Sequence, residues 1–281
     1  MKITILGSGG GEGFPAAFCS CDHCNMVRRA GGKSLRTLSQ TLINDDLMID
    51  LPPDSAWHSV RFGVNFGDIA DFLITHTHSD HFDTYLLRHH GMWYAHNMKY
   101  PNINVYGSSD VRFVFDKVAE AYGGVNSAIA ESVHIKEISA YETRAVGKYS
   151  VTALPAKHAP KLVALNYVIK ENGKVLVYFH DTGFPEQEIL DFIKKNFGRV
   201  DCVMMDATMG TANTPDTANH MCFDQDKRLA VLLCEMGIAD EKTVLVVNHF
   251  THNNAETHDR IEEIFAGTGI IPAYDGMVIE I

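Results

Sequence analysis

Four groups able to bind a transition metal fall within six consecutive residues: His76, His78, Asp80 and His81. They follow an apolar run, Phe72–Thr75, that reads as a buried strand, and they precede a helix expected near Asp83. In extended chain, residues two apart point the same way, so His76 and His78 can grip one ion. Asp80 and His81 follow at a turn and can reach a second ion close by. Imidazole and carboxylate are ligands that Zn²⁺, Mn²⁺ and iron all accept. A strand end is the right support, because its loop can converge on one point while the scaffold stays rigid.

A second cluster is built from sulfur. Cys19, Cys21 and Cys24 give Cys-x-Cys-x-x-Cys, three thiolates near enough to hold one Zn²⁺ tetrahedrally with one further ligand. That ligand is either His23 or a residue remote in sequence. Four-ligand coordination leaves no place for water, so such an ion would stabilise rather than catalyse. The other three cysteines, Cys202, Cys222 and Cys234, stand in apolar surroundings and are expected as small buried hydrophobes.

The elements that must carry these groups are short β-rich runs with interspersed helices, in an order repeated in each half of the chain. Strands are expected at Lys2–Leu6, Thr41–Ile43, Leu47–Ile49, Phe72–Thr75, Asn104–Tyr106, Val133–Ile138, Val151–Leu154, Ala164–Ile169, Val175–Phe179, Cys202–Met205, Val244–Asn248 and Met277–Ile281. Apolar spacing predicts helices at Asp110–Tyr122, Glu186–Asn196, Lys227–Glu235 and Ala255–Phe265. No linker, repeat or low-complexity tract divides the chain, so all 281 residues are expected as one domain. Two sheets face to face with helices outside, an α/β (αββα) sandwich, fit this order.

The motif His-x-His-x-Asp-His after a strand resembles the signature of the metallo-β-lactamase superfamily. Within it, the chain is similar to the PhnP-type phosphodiesterases, relatives of the tRNA 3′-processing endonuclease. The opening strand with Gly7–Gly11, the cysteine cluster and the closing Tyr274–Glu280 share in the likeness. The resemblance implies the metallo-β-lactamase fold and three more ligands at strand ends. His158, Asp181 and His249 stand in the matching positions. His76, His78 and His158 would then hold one divalent ion and Asp80, His81 and His249 the other, with Asp181 bridging. The same likeness favours His252, three residues after His249, as the fourth ligand of the cysteine site, and gives His220 the role of general acid at the leaving group. Asp206, at a strand end, is expected to orient a ligand histidine through its free ring nitrogen.

The implied activity is hydrolysis of small phosphodiesters, cyclic ones included, by a hydroxide bridging two Zn²⁺, Mn²⁺ or iron ions. Competing readings are a lactone or thioester hydrolase, a tRNA 3′-end endonuclease, and a zinc-binding module without catalysis. A net charge of -11 disfavours nucleic acid as partner. Glycines at 7, 9, 10, 11 and 13 miss the dinucleotide fingerprint, since Glu12 stands where its third Gly belongs. They are expected instead to bring backbone N–H groups close to the metals. The residues from Arg88 to His96 are expected to line the pocket. A chain starting directly in a strand, without a secretory signal or an apolar span, is expected in the cytoplasm, and a homodimer is the assembly that base frequency favours.

Overall fold

Near-continuous apolar runs such as Cys202–Asp206 and Val244–Asn248 have no polar face to turn outward, so they can only lie inside a parallel sheet covered on both sides. The computed structural model, which describes residues 1–90, 94–121 and 131–281, places both there. Two mixed seven-stranded sheets make up the framework.

The first sheet contains β1 (Lys2–Gly7), β2 (Gln40–Ile43), β3 (Leu47–Ile49), β4 (Asp71–Leu73), β5 (Ile103–Gly107), β6 (Val133–Glu137) and β14 (Met277–Glu280), ordered β14-β1-β2-β3-β4-β5-β6. The second contains β7 (Thr143–Val146), β8 (Tyr149–Pro155), β9 (Leu165–Glu171), β10 (Lys174–Tyr178), β11 (Cys202–Asp206), β12 (Val244–Asn248) and β13 (Ile270–Pro272), ordered β13-β12-β11-β10-β9-β8-β7. Each sheet has an antiparallel flank that turns parallel, from β3 through β6 and from β10 through β13. The repeated order read from the sequence is this matched pair of sheets.

Between the sheets, Ile3, Ile5, Leu47, Ile49, Tyr167, Val177, Tyr178 and Met204 form one buried core. Helices cover the outer faces: Ser109–Ala121 packs on β5 and β6, and His258–Phe265 on β13. The expected αββα sandwich and metallo-β-lactamase fold therefore stand. Hydrogen bonds between the sheets fix the end of β4. Tyr167 Oη donates to Ile74 O at 2.6 Å, and Leu165 N–H donates to Thr75 O at 2.8 Å.

The expected strands are present, and two more are added. Thr143–Val146 is a largely exposed edge containing Arg144, and Ile270–Pro272 is an edge containing a proline, so neither shows the apolar alternation of an inner strand. Two helices, Asp22–Ala30 and Ser55–Phe62, also went unforeseen. The first buries only Cys24 and Val27, so its apolar stripe is too thin to announce a helix. The last residue of the expected helix Asp110–Tyr122 lies outside the described residues, as do Gly91, Met92 and Trp93 of the aromatic stretch. Cys234 is exposed, against expectation, because it lies on the outer face of helix Phe223–Glu235; Cys202 and Cys222 are buried. No helix among the described residues is long and apolar enough to cross a membrane.

Gly7 sits where β1 leaves the sheet, and a Cβ there would overlap the Leu38 carbonyl, which is backbone and cannot swing away. Gly7→Ala should therefore lower stability by about 1–3 kcal/mol. Denaturant midpoints check this, and a midpoint unchanged from wild type would show that the Leu38 contact costs nothing.

Candidate metal centre

In open α/β sheets the carboxyl ends of parallel strands are where loops from neighbouring strands can meet. Here two sheets present such ends to one another. Asp50 follows β3, the His76–His81 loop follows β4, Asp181 follows β10, Asp206 ends β11 and His249 follows β12; His158 arrives from the end of β8.

The structure brings all seven expected side chains together in two groups, His76, His78, His158 with Asp181, and Asp80, His81, His249 with Asp181. Within each group the donor atoms lie within 4.8 Å of one another. His78 Nδ1 is 2.9 Å from His76 Nε2 and 3.0 Å from His158 Nε2. His81 Nε2 is 3.1 Å from Asp80 Oδ2 and 3.2 Å from His249 Nε2. One oxygen joins the groups: Asp181 Oδ2 stands 3.1 Å from His76, 3.2 Å from His81, 3.4 Å from His158 and 3.9 Å from His249. Tetrahedral coordination at bond lengths of about 2.1 Å sets ligand atoms about 3.4 Å apart, so these separations suit divalent cations. The donor chemistry fits as well, and Asp181 Oδ1 and His158 Nδ1 are buried without a hydrogen-bond partner.

The proton balance points the same way. Burial keeps His76 and His158 neutral, the latter down at about 4, which leaves their lone pairs free to donate. Burial also opposes charge on His81, but Asp50 and Asp80 outweigh it and hold the ring protonated well above its ordinary value. Burial raises Asp80 and Asp181 less than the surrounding imidazoles lower them; His81 does most for Asp80, His249 for Asp181. Protons thus balance carboxylates in a space whose donors suit a cation, and metal binding would release them.

Backbone strain accompanies the cluster. Asp50, Asp181 and His249 adopt φ of 63°, 52° and 66°. For residues other than glycine this region costs about 1–3 kcal/mol each, and it persists only where surroundings dictate it.

Asp50 was not foreseen. Its Oδ2 lies 2.7 Å from His81 Nδ1, and its Oδ1 accepts the Thr75 N–H at 2.7 Å. The only cue was an aspartate closing a short apolar strand beside the one bearing the histidine motif. Asp206 is placed differently from expectation: its Oδ2 is 3.8 Å from His249 Nδ1, too far for a hydrogen bond. Thr208 intervenes, with its Oγ1 2.7 Å from His249 Nδ1 and donating to Asp206 Oδ2 at 2.9 Å. Asp206 also accepts the N–H groups of Thr208 and Met221 on Oδ1, both at 3.0 Å, so it ties the loops around the cluster.

His220 Nδ1 is 2.9 Å from Asp181 Oδ1 and 3.6 Å from Asp206 Oδ2. The closer approach is a charge contact without hydrogen-bond alignment. Burial works against a proton there, but the two carboxylates push the imidazole up to about 10. The glycine loop also reaches the site: Gly11 N–H donates to Asp80 Oδ2 at 3.0 Å, and a Cβ on Gly10 would overlap the His249 ring.

The three thiols meet His252, whose Nδ1 lies 3.2 Å from Cys19, 3.4 Å from Cys24 and 3.9 Å from Cys21. His23 has its Nδ1 buried without a partner and stands outside this group. A cavity of about 780 Å³, lined by Glu12, Lys33, Trp57 and Arg61 among others, shares only the glycine loop with the centre and contains none of its imidazoles. His89 and His90 line a separate apolar space of about 140 Å³ with Leu51 and Phe72, not the histidine cluster.

The family model for the β-lactamase superfamily domain matches residues 58–250, and the chain belongs to that family. Coenzyme PQQ synthesis protein B of Acinetobacter baylyi is 23% identical over 318 residues, covering all of both chains. Among solved structures, a diphosphatase of the PhnP family matches with TM-score 0.75 and 18% identity, over 100% of this chain and 97% of its own. Zn²⁺-bound PqqB from Methylobacterium extorquens matches with TM-score 0.67 and 17% identity over all of both chains.

Asp50→Asn should weaken binding of an added divalent cation at Asp80, His81 and His249 by roughly 10–100-fold, the usual penalty for losing a ligand's supporting carboxylate. Competition with a chromogenic chelator reads this affinity. An unchanged value would show that Asp50 does not act through His81.

Proposed function

We propose that this chain is a dinuclear metal-dependent phosphodiesterase acting on small phosphodiesters, cyclic ones included. The observation that carries the reading is the single oxygen Asp181 Oδ2, set between His76 and His158 on one side and His81 and His249 on the other. His76, His78 and His158 would hold one cation, Asp80, His81 and His249 the second, and Asp181 both. A pair of Zn²⁺, Mn²⁺ or iron ions held there would supply Lewis acidity toward phosphoryl oxygens and lower the pKa of water toward neutrality. Cys19, Cys21, Cys24 and His252 would hold a structural Zn²⁺.

The side chains supply the rest. Asp50 fixes the orientation of His81, and Thr208, backed by Asp206, fixes that of His249. His220, with Nδ1 turned to the carboxylates, keeps a proton and can offer its other ring nitrogen to the departing alkoxide. Asp181 would therefore serve both purposes: one oxygen faces the two histidine groups that would hold the cations, and the other sustains the acid. Attack on a cyclic diester by water then yields a phosphate monoester.

A second reading comes from the full-length likeness to coenzyme PQQ synthesis protein B. The same residues would then act on an organic precursor in a cofactor's synthesis. Turnover of bis-p-nitrophenyl phosphate and cyclic diesters with added Mn²⁺ or Zn²⁺, beside lactones, thioesters and a precursor tRNA, separates these activities. Phosphodiester turnover is the expected result, and none above background would remove the first reading.

His220→Ala should reduce kcat by roughly 10²–10⁴-fold for a diester with a poor leaving group. The loss should be small for p-nitrophenolate, which departs without a proton. Because the acid form is lost as pH rises, the alkaline limb of the wild-type rate profile should vanish in the variant. Equal losses with both leaving groups would remove His220 from the acid role.

A further inference from the structure

Gly11 and Glu12 are adjacent in sequence but touch different clusters. Gly11 N–H donates to Asp80 Oδ2 at 3.0 Å, while Glu12 Oε1 lies 3.1 Å from His252 Nε2. The other ring nitrogen of His252 faces the three sulfurs. A second strip of chain makes the same connection, since His249 belongs to one cluster and His252 to the other. The strips run side by side: Gly9 and Phe250 form a bridge, Gly10 N–H donates to Phe250 O, and Phe250 N–H donates to Ser8 O, both at 3.0 Å. The packing leaves no slack, because the His249 ring occupies the place of a Gly10 Cβ.

We propose that Glu12 is a positioning residue through which the cysteine cluster sets the geometry of Asp80. The proposal rests on the metal-ligand assignments made above. An imidazole that gives its Nδ1 lone pair to a cation must carry its proton on Nε2, which sets that proton in charge contact with the Glu12 carboxylate. The contact anchors Glu12 and with it the direction in which the Gly11 N–H meets Asp80. When the thiols hold no ion, His252 can place its proton on Nδ1 toward a sulfur. Its Nε2 lone pair then faces a carboxylate, two acceptors repel, and the anchor is lost. Filling the sulfur site thereby favours filling of the site at Asp80, His81 and His249, and reciprocity requires the converse.

Glu12 is partly exposed, so replacing it leaves no cavity in the core. The test loads the full chain with Co²⁺. The thiolate-to-cobalt charge-transfer band reports the cysteine cluster, and chelator competition reports the second ion of the histidine cluster. Glu12→Ala should weaken that second ion by roughly 10–100-fold and hasten loss of the band under chelator. Glu12→Gln keeps an oxygen acceptor in place and should stay within about threefold of wild type. Cys21→Ser should weaken the second ion in the wild-type background but add nothing in Glu12→Ala, since both changes break one linkage. A charge-transfer band in the wild type together with an unaltered second-ion affinity in Glu12→Ala overturns the coupling alone. A wild type without the band overturns the cysteine-site assignment, and the coupling with it.

Discussion

Asp181 Oδ2 is the atom on which the arrangement depends. A carboxylate buried this deeply costs several kcal/mol unless nearby charge compensates it. Compensation comes from His249, His220 and His81, with a hydrogen bond from the neutral His76, all contributed by loops of both sheets. None of those loops could be moved without leaving the oxygen unbalanced, and the residue itself is held at a φ of 52° that an aspartate does not adopt unprompted. The carboxylate thus draws the two halves of the sandwich to a common point.

What keeps the imidazoles aimed is a layer of buried polar groups behind them. Asp50 grips His81 and the Thr75 backbone, and Thr208 passes the support of Asp206 to His249. Asp206 and Asn248 lie opposite each other at the ends of two parallel strands, so the turn carrying Thr208 is tied to an inner strand through Asp206. That placement suits a reaction that needs ligands held to a fraction of an ångström, as in metal-assisted hydrolysis.

The histidine loop was legible because its signal is dense and local: four ligand side chains follow a buried strand at a spacing that strand geometry converts directly into direction. His158, Asp181 and His249 carry no such signal alone. Family resemblance picked them out, and their meeting depends on strand pairing between distant segments, which periodicity does not encode. Asp50 and Thr208 stayed hidden because a lone aspartate after a short strand and a threonine in a turn are common in any protein. The cysteine spacing showed a site but not its fourth member, and only the strip from His249 to His252 brings His252 to the sulfurs. Within the fold, inner strands were readable from their apolar runs. The edge strands Thr143–Val146 and Ile270–Pro272 and the helices Asp22–Ala30 and Ser55–Phe62 were not, since burial had left little periodic mark on them.

Sharing of Asp181 by two cations is open to direct test by anomalous diffraction from crystals grown with Mn²⁺ or Zn²⁺, with data from Asp181→Asn alongside. Two peaks about 3.5–4 Å apart, flanking Asp181 Oδ2 and both diminished by the substitution, are the predicted result. One peak among these histidines, or none while the cysteine site is filled, would contradict it.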